Sequence, residues 1–224
     1  MKTTFQMLAY TIFSIAFFGL LLFWPAGTFD YWQAWVFIAV FVVSAMVPTI
    51  YLAVKYPDAL QRRTQPGPFA ETRTLQKLIY VGIILTVVAA GVVSALDHRF
   101  GWSTVPTAVV VLGNVLVVVG LEIAELVVIQ NNYAAATITV EKDQPVVSTG
   151  LYGFVRHPMY VGALVMMVGM PLALASYWAL LVMIPGVLVF AARITDEEKA
   201  LRQDLDGYQE YTEKVHYRLV PGVW

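Results

Sequence analysis

Residues 5–24, 31–54 and 78–96 are three stretches without a single formal charge. Each is close to the ~20 residues that cross a hydrocarbon core as a helix. A chain of 224 residues that is 59% apolar and 13% charged has too little polar material to cover a water-soluble surface, and lipid is the solvent that such a composition requires. The first run is longer than the ~7–15 apolar residues of a secretory signal and no small-x-small cleavage site follows it, so it is expected to stay as a helix. A fourth helix is expected after Ser103 and Thr104, read as N-caps, with Pro106 in its first turn. It runs to about Ile129 and carries Glu122 and Glu125.

The uncharged stretch 159–192 is too long for one crossing and short for two, and Pro171, Ser176 and Pro185 interrupt it. A tight helical hairpin turning near Ala175 and Ser176 accounts for it, with arms of ~25 Å that barely reach the far interface. The predicted fold is therefore all-α, a transmembrane bundle of about six hydrophobic helices with a cytosolic C-terminal helix. It is read as one integrated membrane domain over 1–224, with four helices in 1–129 and the chemistry-bearing part in 130–224.

Alternating these helices places Lys2, Lys55, Arg62, Arg63, Arg73, Lys77, Lys142, Arg156, Arg193, Lys199, Arg202, Lys214 and Arg218 on one side, leaving Arg99 alone on the other. Thirteen of the fourteen basic residues share a face, which by the positive-inside rule makes that face cytosolic, together with both termini and the long loops. The basic 55–77 loop is explained by this topogenic charge, and its Pro66, Gly67 and Pro68 mark a linker. A net charge of -1 gives no footing for nucleic acid, and the lack of cysteine excludes disulfides, thiolate catalysis and cysteine-ligated metals. Three scattered histidines make no metal site; His98 and His216 read as solvated loop residues.

Polar residues without a solubility role gather after residue 130. Segment 144–162 packs Arg156, His157, Tyr152 and Tyr160 against the start of the hairpin. Pro158 fits a first helical position, which leaves His157 near the N-cap and free backbone N–H groups facing the cytosolic interface. The hairpin's exit carries Arg193, Glu197 and Glu198, so the loop-back brings Arg156 and His157 near Arg193 and Glu197. If the last helix continues, Arg193 and Glu197 share a face as i and i+4; if Thr195 instead caps a fresh helix, Glu198 is its capping-box partner. Glu122 and Glu125, at i and i+3, either face the hairpin and pair with Arg156 or line a pocket, or they snorkel or are protonated. Tyr208 and Tyr211 are either a docking pair or ligand contacts.

The combination Gly150-x-Tyr152-x-x-x-Arg156-His157-Pro158-x-Tyr160-x-Gly162, an arginine at the hairpin's exit, paired glutamates, and Gly207-Tyr208-x-x-Tyr211 before a proline resembles the isoprenylcysteine carboxyl methyltransferase family. It also resembles the wider group that includes phospholipid N-methyltransferases. The resemblance covers about 130–224 and implies a membrane-embedded enzyme that binds S-adenosylmethionine in a cytosol-facing pocket and takes a lipophilic substrate from the bilayer. It implies cofactor contacts at Gln144, Pro145, Val146, Val147, Tyr152, His157, Pro158, Met159, Tyr160 and Glu197, and a substrate-contacting, catalytic Arg193. Arg156, Glu198, Tyr208, Tyr211, Glu122 and Glu125 are expected to support these groups. Gln144 departs from the histidine of the eukaryotic carboxyl methyltransferases. Other acceptors, a phospholipid amine or a small thiol, remain open beside a prenylcysteine carboxylate. Two further classes are an NADPH-dependent sterol-type reductase, disfavoured by Met159 and Gly162-Ala163, and a non-enzymatic transporter.

Overall fold

The computed structural model describes residues 2–63, 73–134, 137 and 140–224, with residues 2–7 and 63 described by backbone alone. The expected linker at Pro66, Gly67 and Pro68 lies outside the described residues. The helices are α1 (Lys2–Ala26), α2 (Trp32–Lys55), α3 (Pro57–Arg63), α4 (Thr74–Phe100), α5 (Thr107–Gln130), α6 (Pro158–Ala173), α7 (Trp178–Asp204) and α8 (Tyr208–Lys214), with a 3₁₀ turn at Gly150–Gly153. Five are long and apolar enough to cross a bilayer, and the apolar α6 has 16 residues. With Leu20, Val43, Leu85, Leu112 and Leu188 among many exposed aliphatic side chains, this is an integral membrane protein whose outer surface is matched to lipid rather than water.

The two ends of the bundle differ chemically. Trp24, Trp32, Trp35, Trp102 and Trp178 are all exposed at the end where α1, α4 and the hairpin turn meet, an aromatic band of the kind that settles at a membrane–water interface. There the turn is pinned. Ala175 takes a left-handed φ of 56°, Ser176 donates to the buried Asp97 at 2.6 Å, and Ser103 donates to the same carboxylate at 2.7 Å. The Tyr31 hydroxyl donates to the Leu174 carbonyl at 2.7 Å. These bonds use Ser103 differently from its expected role. The helix begins at Thr107 with Pro106 at the N-cap position and no side-chain cap; Ser103, whose N–H and hydroxyl both go to Asp97, and Thr104 do not take that role, and Pro106 precedes the first turn instead of lying in it. His98 is likewise no solvated loop residue: it lies in the last turn of α4, stacked on Tyr31 at 4.0 Å.

Backbone proximity, not side-chain bulk, joins the C-terminal hairpin to the rest. Gly113 and Gly120 on α5 face Gly162 and Gly169 on α6, two glycines seven residues apart on each helix. A Cβ at Gly120 would lie 2.6 Å from the Gly162 carbonyl oxygen, and one at Gly162 would lie 2.6 Å from that of Gly120. Small residues at matched spacing let membrane helices approach this closely, where dispersion rather than a hydrophobic driving force holds them. Elsewhere the core is filled by Phe18, which meets Phe37 and Phe41 edge-on at 5.3 and 4.9 Å. The other arm, α7, packs on α4.

Replacing Gly120 with Val is therefore expected to push α5 and α6 apart and to cost ~1–3 kcal/mol or more, seen as a lowered thermal midpoint in detergent. Gly19→Ala, where the added carbon meets nothing within 4 Å, is expected to leave that midpoint unchanged.

Candidate functional site

At the end opposite the tryptophan band, α7 does not stop where its uncharged stretch stops. It continues unbroken to Asp204, and Thr195 bonds back to the Ala191 carbonyl at 2.8 Å instead of capping a new helix. Arg193 and Glu197 consequently share a face, one turn apart. Between them stands Tyr160 from α6: its hydroxyl donates to Glu197 at 2.7 Å and accepts from Arg193 Nε at 2.7 Å. His157 reaches the same carboxylate from the start of α6, its Nδ1 lying 4.0 Å from Glu197. It occupies the N-cap position, with Pro158 at the first helical position, but its ring makes no capping bond.

The paired glutamates diverge. Glu198 is 3% exposed and turns away from Glu197, accepting from Arg156 Nε at 2.8 Å and Arg218 Nε at 3.1 Å, with His157 Nε2 at 3.3 Å. Arg156 is further enclosed by the carbonyls of Val215 and His216, each at 2.9 Å. The C-terminal segment runs alongside, with the amides of Arg156 and His157 donating to the carbonyls of Tyr217 and Arg218. Arg156 thus finds its carboxylate in Glu198, and the expected pairing with Glu122 or Glu125 does not form. Glu122 is exposed on α5, and neither glutamate lines the cavity; a shorter path from α7 supplies the counter-charge.

These groups border a cavity open to the exterior, with about 860 Å³ of empty space when its mouth is included. Gln144, Pro145, Val146, Val147, Tyr152, His157, Pro158, Met159, Tyr160, Arg193 and Glu197 all line it, as do Arg156, Tyr208 and Tyr211. Gly150 delivers Tyr152: its φ of +60° opens the 3₁₀ turn, and a Cβ there would strike the Gln130 amide, whose Oε1 accepts the Leu151 N–H at 2.9 Å. Tyr152 accepts from Asn131 at 3.1 Å. Tyr208 and Tyr211 form an apolar cluster with Leu205 and Val215, as a docking pair does, and both also line the cavity. Burial pushes both phenols above their ordinary range, so they stay neutral hydrogen-bond donors.

Sequence reasoning missed Asn131, Tyr133, Ala134, Thr137, Leu201 and Leu205, which complete the lining. Leu201 and Leu205 continue the Arg193–Glu197 face at i+4 steps, a signal that follows once α7 is continuous. It also missed a partner of Arg193 on α4, Gln76, whose Oε1 accepts from Arg193 NH1 at 2.8 Å. Among the described residues no cluster of histidine, aspartate and glutamate could hold a metal ion.

Residues 107–203 match the model of the isoprenylcysteine carboxyl methyltransferase (ICMT) family. Over 76 residues the chain is 37% identical to a protein-S-isoprenylcysteine O-methyltransferase of Schizosaccharomyces pombe, a stretch covering 33% of this chain and 32% of that relative. The match therefore spans about a third of the relative's length. A solved structure of the eukaryotic intramembrane Ras methyltransferase ICMT, without a monobody, shares the fold with a TM-score of 0.51, covering 98% of this chain and 86% of that one at 14% identity.

Removing Glu198 strands Arg156 in a buried setting, so Glu198→Ala is expected to cost ~3–5 kcal/mol, measured as a fall in thermal midpoint. Glu197→Ala, at a side chain 24% exposed to the cavity, is expected to lower the midpoint far less.

Proposed function

We propose that this protein is an integral membrane methyltransferase that uses S-adenosylmethionine to methylate the carboxylate of a prenylcysteine-type lipophilic acceptor at the cytosolic face. The observation that carries the proposal is the single cavity in which Arg193 and Glu197, one turn apart, are coupled through Tyr160 at a membrane interface. The match to the ICMT family over the same helices supports it.

The lining fits the cofactor. Leu201, Leu205, Val146 and Met159 give apolar walls for an adenine, while Glu197 and Asn131 give polar ends for an ammonium and ribose hydroxyls. The Tyr208 hydroxyl is buried in this lining with no hydrogen-bond partner, an orphaned donor whose cost a bound polar ligand would remove. Once bound, the cofactor supplies a methyl group on a cationic sulfonium. The surrounding aromatic faces of Tyr152, Tyr160 and Tyr208 favour such a cation. Arg193 is suited to hold an acceptor carboxylate, because a guanidinium fork orients a carboxylate where a lone ammonium does not. No covalent nucleophile on the protein is required, and the work of the side chains is orientation and exclusion of water. The cytosolic placement rests on the basic residues of this end, which contrast with the tryptophan-rich opposite end.

Arg193→Ala is expected to abolish methyl transfer from radiolabelled S-adenosylmethionine to a prenylcysteine while cofactor binding persists. Glu197→Gln is expected to do the reverse first, weakening cofactor binding by about tenfold, the scale of one charge-assisted hydrogen bond. Full turnover in the Arg193 variant would remove the acceptor assignment, and absence of cofactor binding to the native protein would remove the enzyme.

A further inference from the structure

Gln76 is a polar side chain with 0% exposure in the first turns of α4, outside the segment that matches the family. A leucine there would be the inexpensive choice in a membrane helix, and a buried amide is tolerated only when its polar atoms are bonded. They are. Oε1 accepts from Arg193 NH1 at 2.8 Å, and Nε2 donates to Asp196 Oδ2 at 2.5 Å. The other Asp196 oxygen accepts from Arg73 NH2 at 2.8 Å. A guanidinium only donates and an ionised carboxylate only accepts, so a side chain bridging the two must offer an acceptor at one end and a donor at the other. Glutamine meets that demand in a single amide orientation.

We propose that Gln76 is a positioning residue that sets the orientation of the Arg193 fork and so determines the protein's preference for a carboxylate acceptor. The inference rests on the reading of Arg193 given above. Tyr160 holds Nε and Gln76 holds NH1; bonds to two different nitrogens stop the guanidinium plane from turning about its Cδ–Nε bond. Tyr160 belongs to the cavity's own wall, but Gln76 is referenced to α4 through Asp196 and Arg73. The first half of the chain thereby fixes the angle at which the second half presents its cation. Fork-to-carboxylate recognition depends on that angle, since both hydrogen bonds of the pair must be straight at once.

The test uses the whole 224-residue chain in lipid nanodiscs. Dissociation constants are measured for an S-prenylated N-acetylcysteine, for its carboxamide, and for S-adenosylhomocysteine. The native protein is expected to prefer the carboxylate. Gln76→Leu is expected to reduce that preference by about tenfold or more, with S-adenosylhomocysteine affinity within about twofold of native. Gln76→Glu sets two carboxylates against each other and is expected to reduce it as well. Adding Asp196→Asn to Gln76→Glu exchanges the roles: the new amide at 196 donates to the new carboxylate at 76, its oxygen still accepts from Arg73, and net charge is unchanged. The double variant is expected to recover the preference relative to Gln76→Glu, and S-adenosylhomocysteine affinity, which a general loss of folding lowers, is expected to stay within about twofold of native in all three variants. Undiminished preference in Gln76→Leu, or a double variant no better than Gln76→Glu, overturns the inference while leaving the acceptor reading intact. A native protein that does not distinguish carboxylate from carboxamide overturns the acceptor reading and this inference together.

Discussion

The architecture depends on the continuity of α7 beyond its uncharged stretch. Because the helix keeps its 3.6-residue period through Arg193 to Leu205, each successive side chain is delivered to a different neighbour. Asp196 goes to α4, Glu197 to Tyr160 on α6, Glu198 to Arg156 and the C-terminal segment, and Leu201 and Leu205 to the α8 cluster. A break at Thr195 would have lost the register that carries residues 196 to 198 to these partners. One unbroken element thus organises the cavity, and the surrounding segments are recruited to it.

The hairpin's other end needs a comparable anchor, since a short arm of 16 residues cannot position a site unless its turn is fixed. Asp97 and Tyr31 provide that by bonding the turn directly, one through side-chain hydroxyls and one through a backbone carbonyl. The close glycine contact between α5 and α6 then fixes the arm along its length. An exposed pair, Arg62 with both Glu141 oxygens, holds the connector that lines the cavity, but such surface pairs add little stability on their own.

The helical class, the hairpin with its turn at Ala175 and Ser176, and the convergence of Arg156, His157, Arg193 and Glu197 were legible in the sequence, because uncharged length and helix period act locally. What escaped was set by competition between distant partners. Glu122 and Glu125 lost Arg156 to Glu198, which reaches it across the hairpin's mouth, and Ser103 lost its capping role to Asp97. Gln76 was invisible for a related reason: one amide in the first turn of an apolar helix has no pattern until its partner 117 residues away is known. The order in which glutamates 197 and 198 divide between cavity and scaffold likewise follows from which side of α7 meets α6.

Hydrogen-bond polarity around Arg193 runs outward in two branches, through Tyr160 to Glu197 and through Gln76 to Asp196, where Arg73 closes the second branch. Among the described residues of these two branches, Arg193 and Arg73 stand against Glu197 and Asp196, with Tyr160 and Gln76 as neutral relays. Seen from a low-dielectric slab, opposite charges paired this closely offset one another, so the cost of holding them beside the acyl chains is lower than for the same ions apart. A turn of helix studded with ions can therefore lie at the edge of the hydrocarbon, its charges answered by one another on the protein side and by the open cavity on the other.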